Sequence, residues 1–413
     1  MTLRLAAFLA AAAAAALPAQ QPDRVRTALA QLQSENAATL ELQSSICEIP
    51  APPFGEGRRA AEFKRRLEEA GLRDVRVDSI GNVIGEWPGT SADQTAVVLS
   101  AHLDTVFPES TDVRVRREGG RLLGPGIQDD CRGLAALIMV ARVLGRNQLR
   151  APRSILFVGT VGEEGAGNLR GVRYFFESGD YRRRVHAFIS VDHVGLKLTR
   201  NSVGSHRYRV TFSGPGGHSY NAFGMPNPVH AAGRALARIA EIQVPADPKA
   251  TFSAGVVRGG TTVNSIVASA GFDIDLRSVS PGALNALDAA FRAAVHQALE
   301  DERRRWPSST VPLEVSIDTI GIRPAGAQPL SAPIVQAALA TARQLGFTPE
   351  DSDASTDANI PMSLGVPALA IGHGGRGEGE HTLGEWYEDG ERGWLGPQWV
   401  LLLAITLAGL QPR

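Results

Sequence analysis

The chain has 413 residues, 43% of them hydrophobic, and a net charge of -1. That length buries one large core or two smaller ones, and the near-neutral charge, with no Lys/Arg cluster beside an aromatic platform, excludes a nucleic-acid surface. Two cysteines, Cys47 and Cys131, exclude a disulfide framework but leave one bridge between them open.

Met1 to Ala19 combine Arg4, an apolar run from Leu5 to Leu17 and the small-residue junction Leu17-Pro18-Ala19. This is the layout of a secretory signal, and the run is too short for a membrane span. The expectation is a signal peptide over 1–19, export to the periplasm or beyond, and no membrane association after its removal.

In chain order, a helical period over 58–70 precedes apolar β-branched runs at 95–100, 154–161 and 187–191, with a second helical period over 133–144. Buried strands alternating with helices predict an α/β fold, a mixed, mostly parallel sheet flanked by helices. From 208 to 318 the order changes to strand 208–213, helix 228–242, strands 252–257 and 272–278, helix 281–300 and strand 311–318. That β-α-β-β-α-β order predicts an inserted ferredoxin-like α+β domain. A helix over 331–345, a short strand over 368–372 and a closing helix over 394–410 resume the first pattern. The expected organisation is a catalytic domain in two parts, 20–205 and 319–413, around an insert at 206–318.

The chemistry gathers at strand ends. The strand over 95–100 runs into His102-Leu103-Asp104, where a carboxylate two residues on is placed to hold the second ring nitrogen of the histidine. Gly124-Pro125-Gly126 leads to Asp129-Asp130 at a helix start, where one acid alone would serve as an ordinary cap. The strand over 154–161 ends in Glu163-Glu164, and the strand over 187–191 ends in Asp192. Successive buried strands finishing in carboxylate or imidazole put uncompensated charge at one sheet edge unless a cation sits there. Glu380-His381, after a glycine run, supplies a second imidazole for a two-metal site.

These motifs, with Gly214-Pro215-Gly216-Gly217-His218-Ser219 and the Glu385-Trp386 that follows His381, resemble the co-catalytic zinc metallopeptidases that include carboxypeptidase G, peptidase T, aminoacylase and acetylornithine deacetylase. The resemblance runs over nearly the whole chain beyond the signal segment. It implies a zinc-exopeptidase-like catalytic domain whose insert serves as lid and dimerisation domain, and two Zn2+ per subunit, with Co2+ or Mn2+ as substitutes. It implies further that His102 and Asp192 hold one metal, Glu164 and His381 the other, and Asp129 bridges them, with a cis peptide after the bridging acid. Glu163 is then the general base, Asp104 orients His102, and His218 stabilises the oxyanion, from the partner subunit in dimeric relatives.

Asn264 and Arg277 match lid positions that hold a substrate carboxylate, a task that suits a guanidinium, although Arg277 also suits an ion pair with Asp275 on the same strand face. Ser355 to Asn359 resembles a polar loop near the site. The chain departs from the family pattern at His193, commonly glycine, and at Cys131, which is either a small buried residue or a soft ligand. The expected function is a secreted di-zinc exopeptidase acting on short peptides as a homodimer. The alternative is removal of the acyl group from N-acyl amino acids by the same mechanism; a non-catalytic, metal-dependent binding protein ranks third.

Overall fold

In the computed structural model, which describes residues 21–177 and 180–410, four strands form the middle of a nine-stranded sheet in the order Ser154–Thr160, Ala96–His102, Val185–Val191, Ala368–Ile371. The expected signal segment 1–19 lies outside the described residues. The four strands run parallel, with Ala96–His102 and Ala368–Ile371 buried along their whole length, as the covering of both faces by helices requires. Their pairing sets His102 against Thr160, and Ile371 against Val191. All four carboxyl ends therefore open at one edge, the position where parallel sheets bind ligands.

Antiparallel strands flank this centre: Arg73–Val77 and Val83–Trp87 on one side, Lys197–Ser202 and Gly326–Ala327 on the other. The helix Cys131–Arg146 is buried along almost its whole length and packs with Leu395–Leu407 over the sheet. Two N-terminal helices, Gln21–Ser34 and Asn36–Cys47, lean on it. Neither was among the expected elements, although Val25, Ala28 and Leu32 recur at helical spacing and are buried. No helix among the described residues is long and apolar enough to cross a membrane.

The insert is ferredoxin-like. Its antiparallel sheet has the order Ala250–Gly259, Ser269–Ser278, Gly204–Ser213, Glu314–Arg323, and the helices Pro228–Ala240 and Pro281–Arg305 cover one face. Both helices start on a side-chain cap followed by proline, Asn227-Pro228 and Ser280-Pro281. Tyr208, Val210, Phe212, Phe272, Ile274 and Leu276 point to those helices and build a core separate from the main one. By the two-residue period of a strand, Arg207, Asp275 and Arg277 point the other way.

The strands of the insert reach past the expected 206–318, to Gly204 and Arg323. A bulge between Thr319 and Gly321 breaks the alternation of the last strand, which is why its periodicity stops early in the sequence. A small sheet of Arg116–Glu118, Arg121–Leu123, Trp386–Glu388 and Arg376–Glu378 ties two distant loops together, 124–130 and 379–385.

Candidate metal centre

His102 ends its strand with its backbone N–H on Asp130 Oδ2 at 3.0 Å. Its Nδ1 donates to the backbone carbonyl of Asp104 at 3.0 Å, which aims Nε2 at Asp129. The expected Asp104 carboxylate stands beside the imidazole, Oδ1 3.7 Å from Nδ1, an ion-pair distance rather than a hydrogen bond. The Asp104 carboxylate instead accepts the backbone N–H groups of Glu163 and Glu164 at 3.0 and 2.9 Å. It fixes the next strand end while its own backbone orients the histidine.

Asp129 turns its two oxygens in two directions. Oδ1 faces His102 Nε2 at 2.7 Å and Oδ2 faces His381 Nε2 at 3.1 Å, while His381 Nε2 also faces Glu164 Oε1 at 2.9 Å. The ligand atoms of His102, Asp129 and Asp192 lie within 4.8 Å of one another, as do those of Asp129, Glu380 and His381. The five residues expected to hold metal thus converge with Asp129 between two pairs, and the Asp129–Asp130 peptide is cis. Asp130 takes the ordinary role its position allowed, capping the helix through Gly133 N–H at 3.1 Å.

Glu385, quoted only as part of a motif, holds the metal loop from beneath. Its carboxylate accepts from the backbone N–H groups of Gly126 and Gln128 at 2.7 and 2.9 Å. Gly126 has φ +79°, and a Cβ there would meet Thr105 Cγ2 at 2.5 Å, so the loop needs glycine at that point. Cys131 is no ligand: it forms a disulfide with Cys47, and its sulfur is spent on the bridge.

The donor set suits divalent cations. Burial raises the Asp192 carboxyl well above the usual range and that of Glu164 to about 8, the neighbouring Asp129 charge adding to both. Hydrogen bonds to Asp129 and Glu164 lift His381 to about 11. Burial works against protonating His102, yet Asp129, Asp130 and Asp104 around it raise it well above its ordinary value. Without cations so many acids hold together by keeping protons on and between them, and dications bound here would take the place of those protons.

The cluster floors a cleft of about 260 Å³ that Glu163, Arg207, Arg277 and Arg323 also line. Glu163 is buried and pairs with Arg323, which also donates to the Glu163 backbone carbonyl and, at 3.1 Å, to Ser355 Oγ. Arg323 lay just past the expected end of the insert and was missed. Arg277 lines the cleft and keeps its pair with Asp275 at 2.6 Å, so the ion pair does not draw it away from the site. His193 lines the cleft with Nδ1 3.3 Å from Asp192 Oδ1.

His218 and Asn264 do not line it. Both are exposed: His218 ends the two-residue strand Gly217–His218 and Asn264 sits in the turn before its partner strand Ser265–Ile266, with the Ser219 N–H bonded to the Asn264 carbonyl at 3.0 Å. Within the polar loop, Ser355 reaches the cleft, whereas Asp357 is buried beneath it and accepts from Thr160 Oγ1.

Two imidazoles and a bridging carboxylate at the edge of a parallel sheet, under an α+β insert, define a metallopeptidase-type hydrolase. The profile of peptidase family M20/M25/M40 matches residues 98–392, and the chain belongs to that family. A relative named as a probable carboxypeptidase, from Aspergillus clavatus, is 30% identical over 66% of this chain and 64% of its own length. The solved structure of a Staphylococcus aureus tripeptidase covers 90% of this chain and 98% of its own at 20% identity, with a TM-score of 0.74. That of Bacillus subtilis YXEP, a dinuclear metal binding peptidase, covers 91% and 98% at 18% identity, with a TM-score of 0.66.

Proposed function

We propose that the chain is an exported exopeptidase that hydrolyses short peptides with two zinc ions. The observation that carries this reading is the division of Asp129, one oxygen toward His102 and the other toward His381, beside a glutamate that the ligand set does not use. His102 and Asp192 would hold one ion and Glu164 and His381 the other. Cobalt and manganese suit the same nitrogen and oxygen donors. Two dications held there would supply Lewis-acid polarisation of a carbonyl and acidification of a water.

Glu163 takes the proton from that water and returns it to the leaving amine. Arg323 holds Glu163 by its Oε1, and the Asp104 carboxylate holds the backbone beneath it, so the base meets the water in one orientation. Arg277 receives the substrate carboxylate, for which a guanidinium offers two parallel N–H bonds. His218 and Asn264 act from the partner subunit of a homodimer that joins through the insert. The exposed edge strand Ala250–Gly259, with Val256 and Val257 facing solvent, supports that mode of assembly. The Cys47–Cys131 bridge supports an oxidising compartment, in keeping with the segment 1–19.

The test is metal analysis and hydrolysis of dipeptides, tripeptides and N-acyl amino acids by wild type and Glu163→Gln. The variant is expected to keep its metals and lose turnover by roughly 100- to 10,000-fold. Loss of metal in the variant, or full activity, removes Glu163 from the role of base. Bound metal without hydrolysis across the panel makes the chain a binding protein.

A further inference from the structure

The cleft is electrically lopsided. Arg207 has Arg323, Arg277 and Glu163 as electrostatic neighbours, whereas Glu380 acts on Asp192 and His193. Asp275 is a single carboxylate between two guanidiniums, 2.6 Å from Arg277 Nε and 3.7 Å from Arg207 Nε, so one positive charge is left over on the insert side.

Glu380 is the acid that the ligand set leaves over on the other side. Among the described residues its one ionic neighbour within 4 Å is His381 Nε2, at 3.8 Å, and that nitrogen already faces Asp129 and Glu164. Its carboxylate stands within 4.8 Å of the ligand atoms of Asp129 and His381, yet the side chain is 51% exposed to the cleft.

We infer that the cleft selects unblocked dipeptides, with Glu380 receiving the α-ammonium and Arg277 with Arg207 the α-carboxylate. The inference rests on the peptidase reading above. In a dipeptide the amino nitrogen is two bonds from the scissile carbonyl carbon, roughly 2.5 Å, so it must lie against the metal pair. A cation so close to two dications is repelled unless an acid accompanies it, and Glu380 is the acid at that point. On the other side of the scissile bond the carboxylate carbon is three bonds from the same carbon, and the surplus guanidinium charge meets it. An N-acylated substrate sets an uncharged group against Glu380 and leaves the acid without a partner, which selects against it.

The experiment compares metal-loaded wild type and Glu380→Gln on a dipeptide and on its N-acetyl derivative, with bound metal measured on the same samples. Wild type is expected to favour the free dipeptide by at least roughly 10-fold in kcat/KM. Glu380→Gln is expected to lose roughly 10- to 100-fold on the free dipeptide, mainly through KM, with metal content retained, so that the preference collapses. Metal loss in the variant makes Glu380 a ligand and overturns the inference. Equal or better peptide-bond cleavage of the N-acetyl form by wild type also overturns it while leaving the peptidase reading standing. Hydrolysis of neither substrate by metal-loaded wild type removes the peptidase reading itself.

Discussion

Arg323 Nη1 stands 2.9 Å from Glu163 Oε1, and both side chains are only 5% exposed. Arg323 closes the last strand of the insert, so the pair fastens the inserted domain to the group proposed as the base. Glu163, Glu164 and Asp357 keep the guanidinium charged against the opposing effect of burial. Arg323→Ala is expected to cost about 3–5 kcal/mol by leaving a buried carboxylate without its partner. It should also lower kcat by roughly 100-fold through misplacement of the base. Arg323→Lys, which keeps the charge, should recover part of both. Denaturant unfolding and steady-state kinetics on the two variants decide it, and unchanged kcat in Arg323→Ala would separate the pair from catalysis.

His218 lies outside the cleft of its own chain, which makes complementation informative. His218→Ala is expected to lower kcat/KM by roughly 100- to 1,000-fold, the cost of one oxyanion donor. Co-expressed with Glu163→Gln, it should regain about a quarter of wild-type activity, because half of the dimers are mixed and each mixed dimer holds one complete site. Mixed dimers that form without regaining activity rule out a contribution from the partner.

The Cys47–Cys131 bridge ends one N-terminal helix and begins the helix that follows Asp129-Asp130. Gln43 of the same N-terminal helix donates to the Ile127 carbonyl at 2.7 Å. With a sequence separation of 84 between the two cysteines, opening the bridge frees a long loop in the unfolded chain, a loss of about 3–5 kcal/mol. Cys47→Ser with Cys131→Ser, or reduction by a thiol, is therefore expected to lower the Tm and to speed metal loss to a chelator. A variant with unaltered chelation kinetics would show that the metal loop does not depend on the bridge.

Removal of the metals should make stability fall with pH. Burial raises the carboxyls of Glu164 and Glu385 to about 8 and that of Asp357 to about 7. Between the ordinary carboxylate range and those values the folded chain keeps protons that the unfolded chain has released, so raising the pH favours unfolding. The Tm of the metal-free protein is expected to drop from about pH 5 to about pH 8, and the gain on adding metal to grow over the same window. Thermal melts of both forms at three pH values test this; a metal-free Tm that rises across the window contradicts it.

Local pattern carried the strand ends. His102, Glu163, Glu164 and Asp192 each follow a run of apolar, β-branched residues, and a charged group at the end of such a run has to face the sheet edge wherever the strand lies. The β-α-β-β-α-β order of the insert was legible for the same reason, since each element carries its own period. Partner choice was not local. That the Asp104 carbonyl and not its carboxylate holds His102, that Asp130 caps a helix while Asp129 bridges, and that Arg323 meets Glu163 from 160 residues away all depend on which strands become neighbours. The two N-terminal helices and the three-residue strands that join the loops 124–130 and 379–385 gain their stability from tertiary packing more than from their own sequence. The sequence by itself determined which groups meet at the sheet edge. Only the tertiary structure decided what each of them touches, because hydrogen bonds and ion pairs select partners by distance in space, which periodicity does not record.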